Sequence, residues 1–282
     1  MVDLPKSTLT VAEQMLYTTV KIDTYKLGLP TGSGTGFFYR IKKGKFDAIF
    51  LITNKHVLRD SDQVTTRFHI DDDGSERKSK LWNTTFNFKE ILLHPDENVD
   101  LCGINFSLTH DAMIAAGHKP KFTIVQKADI PTALEWQNLD AIEDVTMIGC
   151  PRGIYDEYNN FPIVRRGITS SNPSILYNGK SEFMVDIACF PGSSGSPIFL
   201  YNPLGYFDKG SNSYMLGNSR IKLLGILHSG PTINAKGEII LGQNPSVEIS
   251  TMMHLGYAIR SSELLVLEDT LWRFISDSGV EI

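Results

Sequence analysis

The chain has 282 residues, a formal net charge of −5, 41% hydrophobic residues and 21% charged residues. That is the balance of an ordinary soluble globular protein. It argues against nucleic-acid or membrane-surface binding through bulk charge. No apolar run approaches the roughly 18 residues of a spanning helix, and Met1 to Thr10 lacks the basic-then-apolar pattern of a secretory signal. No membrane or nucleic-acid partner is expected. The length accommodates two small barrels sharing a cleft.

Short apolar or alternating runs recur along the chain: 16–22, 37–41, 48–52, 64–70, 99–106 and 145–150, then 183–188, 197–201, 221–227 and 256–259. They are rich in β-branched and aromatic residues and separated by Gly, Asn, Asp and Ser, which predicts strands. Asp71-Asp72-Asp73-Gly74 reads as a hairpin tip; as a calcium loop its ligand spacing does not fit an EF-hand. Two segments read as helix. Residues 109–118 are short and alanine-rich. Residues 262–276 place Glu263 in the first turn and repeat Leu264, Leu267, Leu271 and Phe274 or Ile275 at helical spacing. The segment 201–220, with Gly205, Gly210, Ser211, Asn212, Gly217 and Asn218, reads as a turn-rich insertion that rims a cleft or moves. Cys102, Cys150 and Cys189 are odd in number and share no metal spacing, so reduced thiols in the cytoplasm are expected.

The most informative stretch is Gly192-Ser193-Ser194-Gly195-Ser196-Pro197. Upstream, Thr53-Asn54-Lys55-His56-Val57 ends an apolar run, and Asn98-Val99-Asp100-Leu101 begins another. The order histidine, aspartate, serine is that of one of the three unrelated arrangements of a Ser-His-Asp triad. A serine hydroxyl is a poor nucleophile without an adjacent base. His56 is the candidate base, Asp100 the group that orients it, and Ser194 the nucleophile. The backbone N–H groups of Gly192 and Ser194 are the candidate oxyanion donors. Each of these residues alone has a plainer reading as a turn, cap or polar core group; their joint order carries the chemistry. Ser196 reads as structural, facing a barrel interior. Gly32-Ser33-Gly34-Thr35-Gly36 is glycine-rich but lacks the Gly-Lys-Ser/Thr ending of a phosphate loop, and no cofactor or metal is expected.

With these blocks the chain resembles the trypsin-like serine peptidases, most closely the bacterial HtrA-type and glutamyl-endopeptidase-like branch. Gly32 to Phe37, Ile148 to Gly153 and Arg166 to Ser170 support the resemblance, which spans roughly residues 32 to 260. It implies an all-β fold of two six-stranded antiparallel β-barrels with the active site between them, plus a C-terminal helix packed on the second barrel. The corresponding division is 1–106 for the barrel carrying His56 and Asp100, 107–143 for the connection, 144–260 for the barrel carrying Ser194, and 261–282 for the helix and tail. No room remains for a PDZ module after the helix.

The resemblance also implies a serine endopeptidase acting on a protein or peptide substrate. Ala188 would form the base of the specificity pocket, with Cys189 and Phe190 beside it, and with His228, Ser229, Gly230 and Gly256 as walls. These residues suggest a small or medium apolar side chain before the cut; His228 is displaced by one position from the histidine that meets a substrate carboxylate in glutamyl endopeptidases. Trypsin-like zymogens pair a newly cut N-terminus with an aspartate just before the serine. Here that position is Ser193, and no matching N-terminal cleavage segment is present, so no such cleavage is expected. Residues 152–166 correspond to a regulatory region in HtrA-type proteins, which raises a regulatory protein partner. Two alternatives stay open: an idle or latent trypsin-like recognition module, and a narrow esterase.

Overall fold

The computed structural model describes residues 9–71, 80–87, 91–238 and 246–277. The tip Asp72-Asp73-Gly74 lies outside them. The first part of the chain holds α1 (Val11–Leu16), β1 (Thr19–Lys26), β2 (Leu29–Lys43), β3 (Phe46–Thr53), α2 (Lys55–Leu58), β4 (Gln63–Asp71), β5 (Lys80–Asn87), β6 (Ile91–Leu93) and β7 (Cys102–Asn105). Between the halves lie α3 (Ser107–Ala115), β8 (Lys119–Lys121), β9 (Val125–Gln126) and α4 (Ala133–Asn138). The second part holds β10 (Asp144–Gly149), β11 (Ile163–Thr169), β12 (Glu182–Asp186), β13 (Pro197–Asn202), β14 (Gly205–Asp208), β15 (Ser213–Leu216), β16 (Arg220–Ser229), β17 (Thr232–Glu238), β18 (Ser246–Met252), β19 (Leu255–Arg260) and α5 (Glu263–Asp277).

The fold is mostly β, with a closed barrel of β10, β11, β12, β19, β16 and β13. The first sheet is larger than six strands: it runs β5-β4-β1-β2-β3-β7-β6, with β8 added to β4 and β9 lying parallel to β2. The connecting segment therefore returns two strands to the first sheet. Strand placement follows side-chain alternation. In β1, Val20, Ile22 and Thr24 are buried, while Lys21, Asp23 and Tyr25 between and after them are more exposed.

The apolar run at 16–22 divides between a helix and a strand. Thr10 and Glu13 form a reciprocal capping box that starts α1, and the chain enters β1 only at Thr19. Thr132 and Glu135 do the same for α4. The insertion at 201–220 is a hairpin, β14 with β15. Arg220 stacks on its Tyr206 ring at 4.4 Å, and Lys209 Nζ donates to the carbonyls of Gln137 and Leu139, which docks it on the connecting segment.

The largest hydrophobic cluster lies on the seam between the sheets. Phe37, Tyr39, Phe50 and Leu101 of the first sheet meet Ile148, Phe199, Leu223, Ile226 and Ile259 of the barrel, together with Leu264 and Leu267 of α5. The helix is thus wedged against both sheets and not the barrel alone. Trp272 packs edge-on to Phe46 at 5.1 Å. The Tyr39 hydroxyl donates to Glu268 at 2.5 Å, and buried His94 pairs with Glu263 at 3.1 Å. The helical stripe turns from Leu267 to Trp272 and away from Phe274, which is exposed.

Leu267 is fully buried in the seam. Leu267→Ala is expected to cost about 2–5 kcal/mol, measured by urea unfolding. Contact with the His94 ring, against the opposing effect of burial, holds the Glu263 carboxyl below its usual range. A carboxyl depressed on folding contributes its stability above the unfolded value, about 4.3, and loses it as pH falls through the folded one. The thermal midpoint of Glu263→Gln should accordingly fall less steeply than the wild type's between about pH 5 and pH 3.

Candidate active site

His56 is presented by a break in a strand. The apolar run of β3 ends at Thr53, and the chain turns through Asn54 into the single turn of α2. Asp100 lies two residues before the neighbouring strand β7, whose Cys102 pairs with Thr53. Three hydrogen bonds join the segments. The Asn54 side-chain amide donates to the Asp100 carbonyl at 2.7 Å. The His56 backbone N–H donates to Asp100 Oδ1 at 3.0 Å, and His56 Nδ1 lies 2.5 Å from Oδ2. An ionised carboxylate can only accept, so Nδ1 carries the proton and Nε2 is left as an acceptor. Burial alone would raise the Asp100 carboxyl. The hydrogen bonds and charge of His56, with His228 beyond, outweigh it and hold the group below the usual carboxylate range.

Ser194 comes from the other side of the seam, in the loop between β12 and β13. Its Oγ lies 2.9 Å from His56 Nε2 and 3.4 Å from the His228 carbonyl. The two flanking glycines have steric reasons to be there. Gly192 and Gly195 both sit at φ +86°, in the left-handed region. A Cβ at 192 would stand 2.8 Å from the Arg152 nitrogen and 2.9 Å from the Cys150 carbonyl oxygen; one at 195 would stand 2.0 Å from the Thr35 carbonyl oxygen. These are backbone atoms that cannot swing aside.

The orientation of the loop is set by its hydrogen bonds. The Arg152 N–H donates to the Pro191 carbonyl at 2.5 Å. With the 191–192 peptide trans, the Gly192 N–H points the opposite way. Among the described residues, neither the Gly192 nor the Ser194 N–H has a protein acceptor. Ser196 is fully buried, with its hydroxyl against the Cα of Gly149, as a structural residue would be.

One residue joins the two halves of the site. Thr35, fully buried on β2, donates its N–H to the Ser194 carbonyl at 2.9 Å and its hydroxyl to the Gly192 carbonyl at 2.9 Å. Its hydroxyl also accepts from the Cys150 N–H at 3.0 Å, and its carbonyl accepts from Thr53 Oγ1 at 2.8 Å. Thr35 belongs to the glycine-rich block, but nothing in that block's composition marks the threonine as a joint between sheets.

The residues expected to form the specificity pocket are arranged around the same loop. Cys189 is buried with its sulfur in the notch of Gly256: a Cβ at 256 would lie 2.6 Å from Sγ and 2.6 Å from Leu227 Cδ1. The Phe190 ring is covered by the Arg152 guanidinium at 5.7 Å and the His254 ring at 5.5 Å. Ala188 offers its carbonyl to Arg165. His228 Nε2 faces Glu182 at 3.3 Å, and Nδ1 lies 3.2 Å from the Ser229 hydroxyl. The His228 ring is therefore engaged by a carboxylate, which its contact holds below the usual range. Gly230 follows the end of β16. A recess of about 300 Å³ opens beside these residues, between Tyr177, Lys180, Glu182, His228 and Tyr257. Sequence reading missed Glu182, and it placed Arg165 only within the regulatory loop 152–166, whereas the residue lies on strand β11. Arg165 lies on the inward side of β11, where alternation alone predicts an apolar residue, and Glu182 lies on the outward side of β12, alternating with the buried Phe183 and Val185.

Residues 34–202, more than half of the chain, match the family described as the trypsin-like peptidase domain. The chain belongs to that family. The matched span includes His56, Asp100 and Ser194. No curated protein matches the sequence. Among solved structures, a serine endoprotease of Yersinia pestis is 18% identical with a TM-score of 0.47, over 95% of this chain and 68% of that one. An inactive mutant form of a Mycobacterium tuberculosis protein is 16% identical with a TM-score of 0.44, over 98% and 99%. The tobacco etch virus protease in complex with product is 12% identical with a TM-score of 0.46, over 95% and 84%.

In this trypsin-like peptidase, Thr35→Val keeps the shape of the side chain and removes the hydroxyl that meets Gly192 and Cys150. It leaves buried partners unsatisfied, so a loss of about 1–3 kcal/mol in stability is expected. The reaction of Ser194 with an organophosphorus probe should slow roughly 10-fold or more, while Thr35→Ser stays near wild type; stopped-time labelling and urea unfolding check both.

Proposed function

We propose that the chain is a serine endopeptidase that hydrolyses peptide bonds through an acyl-enzyme. The observation that carries the reading is the unbroken hydrogen-bonded line from Asp100 through His56 to Ser194, at 2.5 and 2.9 Å. Ser194 Oγ attacks the carbonyl carbon of the scissile bond and its proton passes to His56 Nε2. The resulting oxyanion accepts from the Gly192 and Ser194 N–H groups. The C–N bond then breaks, His56 returns the proton to the leaving amine, and water repeats the sequence on the ester. Asp100, held ionised by its low-lying carboxyl, stabilises the imidazolium at each stage.

The substrate strand would pair along β16 near Leu227 to Gly230, in the manner of an added strand. Ala188, Cys189, Phe190 and Gly256 would receive the side chain before the cut. The Cys189 sulfur filling the Gly256 notch favours a small or medium apolar group. Activation needs no N-terminal cleavage, since Ser193 offers no charge for a terminal ammonium. Within the family we place the chain beside the bacterial HtrA-type and glutamyl-endopeptidase-like peptidases, on the Gly32–Phe37, Ile148–Gly153 and serine blocks. The loop after Cys150 contacts the first sheet, through Asn160 with Arg67 and His69, and also the Pro191 carbonyl. A regulatory protein partner seated there would reach the oxyanion peptide. We assign the protein to the reducing cytoplasm, in keeping with three buried free thiols.

Full-length protein should label at Ser194 with a fluorophosphonate, and Ser194→Ala should not. Asp100→Asn should lower the labelling rate by roughly 10⁴-fold through the wrong imidazole tautomer. Peptide-library cleavage should then follow labelling. Peptide binding with no labelling of the wild type would instead assign a recognition module, and labelling with ester but no peptide turnover a narrow esterase.

A further inference from the structure

Something must hold the residue before the nucleophile in a trypsin-like loop, and here that residue is the fully buried, uncharged Ser193. Its Oγ accepts a hydrogen bond from Arg165 Nη1 at 3.0 Å. The same Nη1 donates to the Ala188 carbonyl at 2.5 Å, on the other side of the loop. Arg165 lies on β11, opposite Met147 of β10. The two-residue period of the strand turns Arg165 inward and sends Arg166 outward to Asp144.

The guanidinium has no anion to meet. Among the described residues no carboxylate lies within ion-pair distance of it, and its Nε and Nη2 are buried without a hydrogen-bond partner. The thiols of Cys150 and Cys189 lie close enough to interact with it electrostatically, but burial pushes them up to about 12 and about 11, so both stay neutral. A buried cation is tolerated only where polar groups meet it. Here the protein oxygens that do so are two atoms of the nucleophile loop.

We propose that Arg165 is the built-in activator of this loop. Its guanidinium clamps Ser193 and the Ala188 carbonyl, and so holds the Gly192 and Ser194 N–H groups in their donating positions. It supplies from a barrel strand what a newly formed amino terminus supplies in trypsin-like zymogens. The role rests on the peptidase reading above. Its positive charge, two residues or fewer along the chain from both donors through Ser193, also favours the negative charge that develops on the oxyanion. Arg165 touches no substrate atom and is a positioning residue.

The test uses the full chain and a fluorophosphonate probe, with thermal melting of each variant alongside. Arg165→Met replaces an uncompensated buried charge by an apolar side chain of similar length, so the desolvation cost of the cation that is relieved offsets the loss of its two hydrogen bonds. The expected result is labelling slowed roughly 10²-fold with a melting temperature at or above wild type, a split that a merely structural role would not produce. Free guanidinium at non-denaturing concentration should restore part of the rate to Arg165→Ala. Ser193→Ala should slow labelling by less, and the double variant Arg165→Met/Ser193→Ala should be no slower than Arg165→Met alone, because the two share one interaction. Wild-type labelling in Arg165→Met, or full additivity of the pair, overturns the proposal while leaving the peptidase reading intact. If Arg165→Met does not fold, wild-type labelling in Ser193→Ala overturns it in the same way. A wild-type protein that never labels defeats the peptidase reading and the clamp with it.

Discussion

The site depends first on the polar joint at Thr35. His56 and Asp100 are placed by one sheet and Ser194 by the other, so a shift of the sheets by an ångström would separate Nε2 from Oγ beyond hydrogen-bonding range. Hydrophobic contact alone resists such sliding weakly, since it is non-directional. The hydrogen bonds that Thr35 donates to the Ser194 and Gly192 carbonyls, and the one it accepts from the Cys150 N–H, are directional. They fix the nucleophile loop in register with β2, the strand that in turn pairs with β3 and leads to His56. Burial of the joint makes each bond expensive to break, because an orphaned partner has no water to turn to.

The apolar seam does complementary work. Burying Phe37, Tyr39, Phe50, Ile226 and Ile259 in one cluster with Leu264 and Leu267 removes a large apolar area from water and sets the distance between the sheets. The helix α5 closes that seam, and its Glu263 and Glu268 reach polar groups of the first part of the chain, His94 and Tyr39. Clamping by α5 and orientation by Thr35 therefore act on two parts of one problem, holding the two sheets at a separation and an angle that the chemistry can use.

Much of this was legible in the sequence. Alternating β-branched runs gave the strands, the leucine spacing gave α5, and the order of His56, Asp100 and Ser194 gave the members of the hydrogen-bonded line. The blind spots have physical causes. Thr10-x-x-Glu13 and Thr132-x-x-Glu135 are short capping signals lying inside or beside apolar runs, and hydrophobic period outweighed them. The returning strands β8 and β9 are three and two residues long, too short to show a period. Thr35, Glu182 and Arg165 carry their weight through partners more than ten residues away, at 192, 228 and 193, and a single sequence holds no record of such pairings. The resemblance put the helix on the second barrel, because composition cannot say which of two apolar faces a leucine stripe will cover.

Ser193 and Arg165 illustrate how charge and burial divide the labour in this loop. An aspartate before the nucleophile would have given Arg165 a counter-ion, and the pair would then have cancelled much of its own field. A serine supplies an acceptor without a charge. The loop is held by hydrogen bonds, while the net positive potential of the guanidinium remains beside the two N–H donors of the candidate oxyanion hole. The same substitution removes the group that a terminal ammonium would need. The proposed independence from N-terminal cleavage and the uncompensated cation under the loop thus trace to one residue, and the buried, neutral thiols of Cys150 and Cys189 keep any second charge from offsetting that cation.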